Sequence, residues 1–147
     1  MSVDSSVGSQ DYGNTYGRLL SEAAVVIYEK KDGNIRVMLS TRNADIATLM
    51  WPDNNLEYLL AGFDRRCNRS NGNLAVIDVI LGDCRSFNIN RVIGIKWLGE
   101  ITRDTLEDAL AEYENIEKEL SEGLGYSVVG GDKNNSGAGA VPKAIKF

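Results

Sequence analysis

The chain has no histidine in its 147 residues. Ser-His-Asp and Cys-His catalysis are therefore excluded, and so is any His-ligated metal centre. Cysteine is nearly as scarce. Cys67 and Cys84 are the whole complement, too few for an all-cysteine zinc site and not spaced as CxxC. No apolar run approaches the roughly 18 residues that a membrane span needs. The N-terminal stretch MSVDSSVGSQDYGNTYG has neither a basic n-region nor an apolar h-region. A cytoplasmic location is the expectation, and with it free structural thiols rather than a disulfide. NRS at Asn68 and NNS at Asn134 match the glycosylation acceptor pattern and are read as chance. A P-loop is missing, and no GxGxxG follows a strand. With these classes removed, catalysis would rest on carboxylates, lysine, tyrosine or cysteine, and no paired arrangement of them stands out. The expectation is a protein that is not an enzyme, with no metal and no cofactor. The enzymatic alternative, ranked last, would use Asp78, Asp83 and Cys84 near Arg85. A carboxylate beside an arginine is far more often a structural ion pair.

What remains is an ordinary globular composition, 43% hydrophobic and 25% charged, in a chain long enough for one domain with a real core. The net charge of −5 is unevenly placed. Residues 100–122 hold nine acidic side chains against two basic ones, whereas residues 23–99 hold ten basic against eight acidic. An anion site in the middle of the chain is compatible with overall acidity.

The pattern divides the chain into three parts. Residues 1–20 are rich in Ser, Gly, Asp and Asn and read as a flexible arm, which Tyr12 and Tyr16 would order if they packed. Residues 21–122 read as the folded domain. Residues 123–147 read as a flexible Gly/Asn-rich tail ending in the apolar and basic VPKAIKF. Within the domain, Val25–Lys30, a KDGN turn and Ile35–Thr41 form a β-hairpin. Alternation sets Arg36, Met38, Ser40 and Arg42 on one face of the return strand and Ile35, Val37, Leu39 and Thr41 on the other. The aliphatic face is taken as the core side. An excursion over residues 43–73 follows. It holds a helical turn at ADIATLM, a short helix or strand at Leu56–Phe63, and a polar loop with Arg65, Arg66 and Arg69. Leu74–Ile80 is a nearly continuous apolar strand, CRSFNI a fourth, and RVIGIKWLG a fifth after a reversal at Asn88–Asn90. Gly94 marks a bend. Then the period becomes helical. Leu106, Ala109, Leu110, Tyr113, Ile116 and Leu120 predict an amphipathic helix over about 103–121, capped by Thr102 or Asp104 and ended by Gly123. The fold class is mainly β: a small five-stranded antiparallel barrel plus one C-terminal helix.

DGNIRVMLSTRN, followed after the excursion by LAVIDVILGDCRSFNINRVIGI, resembles the WYL-like, Sm-like small β-barrel domain common in bacteriophage genomes. The matching positions are Arg36, Val37, Met38, Thr41 and Asn43, then Arg85, Ser86 and Phe87, then Arg91, Val92 and Ile93. The resemblance spans Val25 to Leu98. It implies binding of a negatively charged ligand, a nucleotide or a nucleic-acid fragment, in a groove lined by basic residues and a cysteine. Arg36, Arg85 and Arg91 fit the basic positions, with Arg42 as a neighbour. Ser40 stands where the family has its cysteine, Leu39 precedes it where a basic residue is usual, and the excursion is long.

The resulting expectation is a small regulatory or binding protein that holds an anionic ligand with Arg36, Arg42, Arg85, Arg91, Ser40 and Phe87. Guanidinium groups suit phosphate because they give planar, bidentate contacts. Phe87, Trp51 and Trp97 are the aromatic candidates for stacking a base, though Phe87 and Trp97 read equally as core. The alternative is an interaction or assembly protein, in a virion or against a host protein. It would use the acidic helix and the tails, with a homo-oligomer as one form.

Overall fold

In the computed structural model, residues 12–123 are described in full and residues 128–130 as backbone. The chain forms five antiparallel strands in one open sheet with a C-terminal helix packed on it. Strand β1 (Ala23–Glu29) turns into β2 (Ile35–Thr41) through Lys30–Asn34. There Gly33 takes φ +90, and the Asp32 carboxylate accepts from the Asn34 N–H at 2.9 Å. Strand β3 (Asn73–Asp78) pairs with β4 (Asp83–Asn88), and β5 (Val92–Gly99) pairs with β1. The strand order is β4-β3-β2-β1-β5.

Connectivity forces this sheet to curl. β4 and β5 end the strand path, yet only Ile89–Arg91, a single 3-10 turn, joins them. Four chain steps span at most about 14 Å. Four strand spacings in a flat sheet separate its ends by about 19 Å. The curl is helped by the weak seam between β2 and β3, where Ser40–Asp78 and Thr41–Ile77 are the paired positions. Two register shifts between β1 and β5 add to it; one leaves Ile93, next to Gly94, bulged and exposed. Where β3 peels away from β2, the backbone of β6 (Val128–Gly130) runs parallel to Ile35–Val37.

Curling buries both faces of the β1–β2 hairpin, and this corrects the one-sided reading of β2. Helix α4 (Leu106–Gly123) lays Ala109, Leu110, Tyr113 and Ile116 on Ile35, Val37 and Leu39. The other face, with Val26, Tyr28, Met38, Val76 and Phe87, closes on itself and on Leu19 of α1 (Tyr12–Leu19). So the face carrying Arg36, Ser40 and Arg42 is interior too.

Helix α1 corrects the expectation of a flexible arm over 1–20, of which residues 1–11 lie outside the described residues. Its Tyr12 hydroxyl donates to the Asn73 carbonyl at 2.7 Å, and its Leu19 carbonyl accepts from the Arg42 N–H at 2.8 Å. The excursion holds α2 (Ala44–Thr48), then α3 (Leu56–Phe63), which runs directly into a 3-10 turn at Asp64–Arg66. Leu56 and Leu60 of α3 pack on Ala75, Ile77 and Cys84 of the β3–β4 hairpin. Helix α4 begins after Thr105, whose carbonyl accepts from Ala109 N–H at 3.1 Å. Neither Thr102 nor Asp104 takes that position, because residues 102–105 close a turn in which Thr105 Oγ1 accepts the Thr102 N–H. In the tail, β6 replaces the expected flexibility at 128–130, and VPKAIKF lies outside the described residues.

Candidate functional site

The four arginines of the anticipated site do not converge on one point. Arg36 and Arg85 do share one face with Asp78, and Arg85 pairs with it. Register explains it: Ser40 opposes Asp78 across β2–β3, and Arg85 opposes Val76 across β3–β4, so Arg36, Ser40, Asp78 and Arg85 share the inner face. Asp78 is fully buried at the end of β3. Its Oδ1 accepts the N–H groups of Ile80 and Leu81 at 3.0 and 3.2 Å, which fixes the turn into β4. Its Oδ2 lies 3.4 Å from Arg85 Nε, an ion pair without hydrogen-bond geometry. Burial pushes the Asp78 carboxyl up to about 6, against the pull of the turn N–H groups and of Arg85 and Arg36. Arg36, at 7% exposure, stands opposite Tyr28 across β1–β2, and burial pushes the Tyr28 phenol above its ordinary value while the Arg36 charge pulls it down. Tyr28 in turn packs against Phe87, with ring centroids 5.7 Å apart. Phe87 is therefore a core ring rather than an open stacking surface. Ser40 Oγ, fully buried, makes no hydrogen bond among the described residues.

The side chain of Arg85 is 25% exposed and forms the solvent-reachable member of this cluster. Sequence reasoning found Arg36, Ser40 and Arg85 but missed Asp78 as the carboxylate on their face that Arg85 pairs with. The Asp78-to-Gly82 turn pattern was visible; the pairing of β2 with β3 across a long excursion was not.

Arg42 belongs to a different group. Its Nη2 pairs with Asp64 Oδ1 at 2.6 Å, its Nη1 donates to the Ala75 carbonyl, and its guanidinium lies 4.3 Å from the Tyr16 ring centroid. Cys67 Sγ stands beside it at 3.6 Å. This buried arginine ties α1, the excursion and β3 together, which is a structural task. Arg42→Met keeps the apolar bulk but strips the fork from Asp64 and Ala75. It is expected to lower unfolding free energy by about 3 kcal/mol in urea titration. Arg91 is exposed and donates to the Lys30 carbonyl at 3.3 Å, at the joint between β4 and β5.

Nucleophilic chemistry gains no support. Burial and the neighbouring Asp83 push the Cys84 thiol up to about 11, so it stays protonated at neutral pH. Among the described residues, no group of three Cys, Asp or Glu side chains is placed to hold a metal. No described helix is long and apolar enough to cross a membrane. The geometry defines a small curled antiparallel sheet with a charged cluster inside its concave face. The chain matches no protein-family model, no curated protein and no solved structure.

Proposed function

We propose that the protein is a small non-enzymatic binding protein, of the regulatory kind found in phages, that recognises a negatively charged ligand of the nucleotide class. Arg85 makes the first contact, and Arg36, Ser40 and Asp78 stand behind it. The observation that carries this reading is the Asp78–Arg85 pair at a fully buried carboxylate, with Arg36 and Ser40 on the same inner face. A buried charge cluster is rarely the cheapest way to stabilise a core, since apolar residues of similar volume usually do as well or better. Such clusters are enriched at functional sites. Ser40 Oγ and Asp78 Oδ2 add two buried polar atoms that accept or donate no hydrogen bond among the described residues. An entering phosphate monoester would use them: its unprotonated oxygens suit the guanidinium groups and Ser40 Oγ, and a protonated oxygen suits Asp78 Oδ2. The resemblance to the WYL-like, Sm-like barrels implies the same ligand class, and a host cytoplasm as the setting.

The test is a thermal-shift panel in low salt with inorganic phosphate, mononucleotides and cyclic nucleotides, on the native chain and on Arg85→Ala. The expected result is a rise of several degrees with at least one nucleotide, lost in Arg85→Ala and weakened by added salt. A folded protein that responds to no member of the panel removes this reading. It would leave the assembly role, for which the exposed acids of α4, Glu107, Asp108, Glu119 and Glu122, are the natural contact.

A further inference from the structure

Helix α3 shows an outward stripe that the fold does not use. Leu56 and Leu60 point inward, while Tyr58 is 72% exposed and Leu59 is 41% exposed. The chain runs on from α3 into the 3-10 turn without a break, so helical spacing continues past Phe63. Gly62 and Arg65, four and seven residues beyond Tyr58, continue its line along the surface, and Arg66 lies to one side of that line, over Phe63. A side chain added at Gly62 would meet nothing within 4 Å, so the stripe has an open floor one turn beyond the tyrosine ring. Arg66 lies over Phe63, with its guanidinium carbon 4.7 Å from the ring centroid. Arg65 and Arg66 are both exposed. Glu57, the one acid of α3, lies about 100° round the helix from Tyr58.

We infer that this stripe, an exposed ring, a glycine floor and two arginines, is a docking surface for single-stranded nucleic acid. The chemistry favours that occupant over a second copy or an acidic protein. Every unpaired base has a face to stack on Tyr58, and the phosphates that follow meet Arg65 and Arg66. A guanidinium over an aromatic ring offers its edge to phosphate and its other face to a base. A protein partner of matching apolar area would need more than Tyr58 and Leu59 to form a desolvated centre. The surface is separate from the Arg36–Asp78–Arg85 cluster and does not depend on it. The net charge of −5 opposes long-range steering of a polyanion, so contact is local and shows at low salt.

The test uses fluorescence anisotropy of 5′-labelled dT12 and rU12 with the full chain, from about 25 mM salt upward. Saturable binding is expected, with log K falling against log salt at a slope of about −1.4 to −2.1, the signature of two or three phosphates on single strands. Tyr58→Ala weakens binding about tenfold and leaves the slope in place. The double variant Arg65→Glu, Arg66→Glu weakens it tenfold or more and flattens the slope. Arg103→Glu, a charge reversal at an exposed residue outside the stripe, stays within about twofold of native. All four sites are exposed, so each variant is expected to melt with the native chain. Absence of saturable binding at low salt, or equal binding by native, Tyr58→Ala and double-variant proteins, overturns the inference. So does a concentration-dependent dimer that Tyr58→Ala dissolves, which would make the stripe a self-association surface. Equal capture of labelled polyglutamate, insensitive to Tyr58→Ala, would overturn it in favour of an acidic protein partner.

Discussion

Gly82→Ala is expected to lower unfolding free energy by about 4 kcal/mol or more and the melting temperature by roughly 10 °C or more. Gly82 sits at φ +70, where an L side chain carries about 1–2 kcal/mol of strain. A Cβ there would lie 2.4 Å from Trp51 Cδ2, inside the indole ring. Trp51 has little room to yield, since its Nε1–H donates to the Val79 carbonyl at 2.8 Å and Asn54 Nδ2 donates to the Gly82 carbonyl at 2.9 Å. Displacing the indole gives up that hydrogen bond and the packing of Trp51 on the β3–β4 hairpin, adding several kcal/mol. Gly33→Ala is the control. Its φ is +90 but the space around it is open, so the backbone term alone applies, about 1–2 kcal/mol. Thermal melts of the two variants side by side separate the ring clash from the strain; equal losses would mean that Trp51 does not rest on this turn. The turn matters beyond stability, because it is the one that holds Asp78 Oδ1 on the N–H groups of Ile80 and Leu81.

Acidification is expected to stabilise the native chain relative to Asp78→Asn. Burial raises Asp78 from the usual 3.8 to about 6 in the folded protein. Its contribution is therefore fully present below about 3.8 and is lost as pH rises through about 6. Between pH 7.5 and 4 the native chain should gain about 2 kcal/mol on the Asn variant, which has no proton to take up there. Asparagine keeps the acceptor for Ile80 and Leu81, so the comparison isolates the charge. Asp78→Ala removes that acceptor too and should be less stable than the Asn variant by about 2 kcal/mol at every pH. Urea unfolding across the pH range measures both differences. A difference that moves the opposite way on acidification would mean that Arg36 and Arg85 more than compensate the burial of the carboxylate.

The strands and the long helix were legible because each carries its own period. Ile35–Thr41 alternates, and Leu106–Leu120 repeats at helical spacing. Helix α1 was not read as one, since YGNTYGRL contains two glycines and little intrinsic helix preference. Tertiary contacts hold it, Tyr16 on Arg42 and Arg18 on Trp97, beside a local i,i+4 pair of Arg18 with Glu22 at 2.9 Å. The spacing of Tyr12, Thr15, Tyr16 and Leu19, at i, i+3, i+4 and i+7, was the signal available. The arginines were placed on the correct face of β2 but on the wrong side of the surface. Alternation assigns faces within a strand; whether a face meets water depends on how the sheet curls, and here that follows from the three-residue link between the ends of the strand path. That Arg36, Asp78 and Arg85 share one face depends on pairing across the 43–73 excursion, which no local pattern encodes.

The measurement that bears most directly on the anion-binding account is a titration of the 15N-labelled chain with a mononucleotide, following the arginine Nε–H resonances. The account predicts saturable shifts of Arg85 and Arg36, with Arg42 and Arg91 unmoved and the response lost in Arg85→Ala. A folded chain whose Arg85 and Arg36 resonances stay fixed at millimolar nucleotide in low salt would contradict it, and the cluster would then be an ion pair of the core alone.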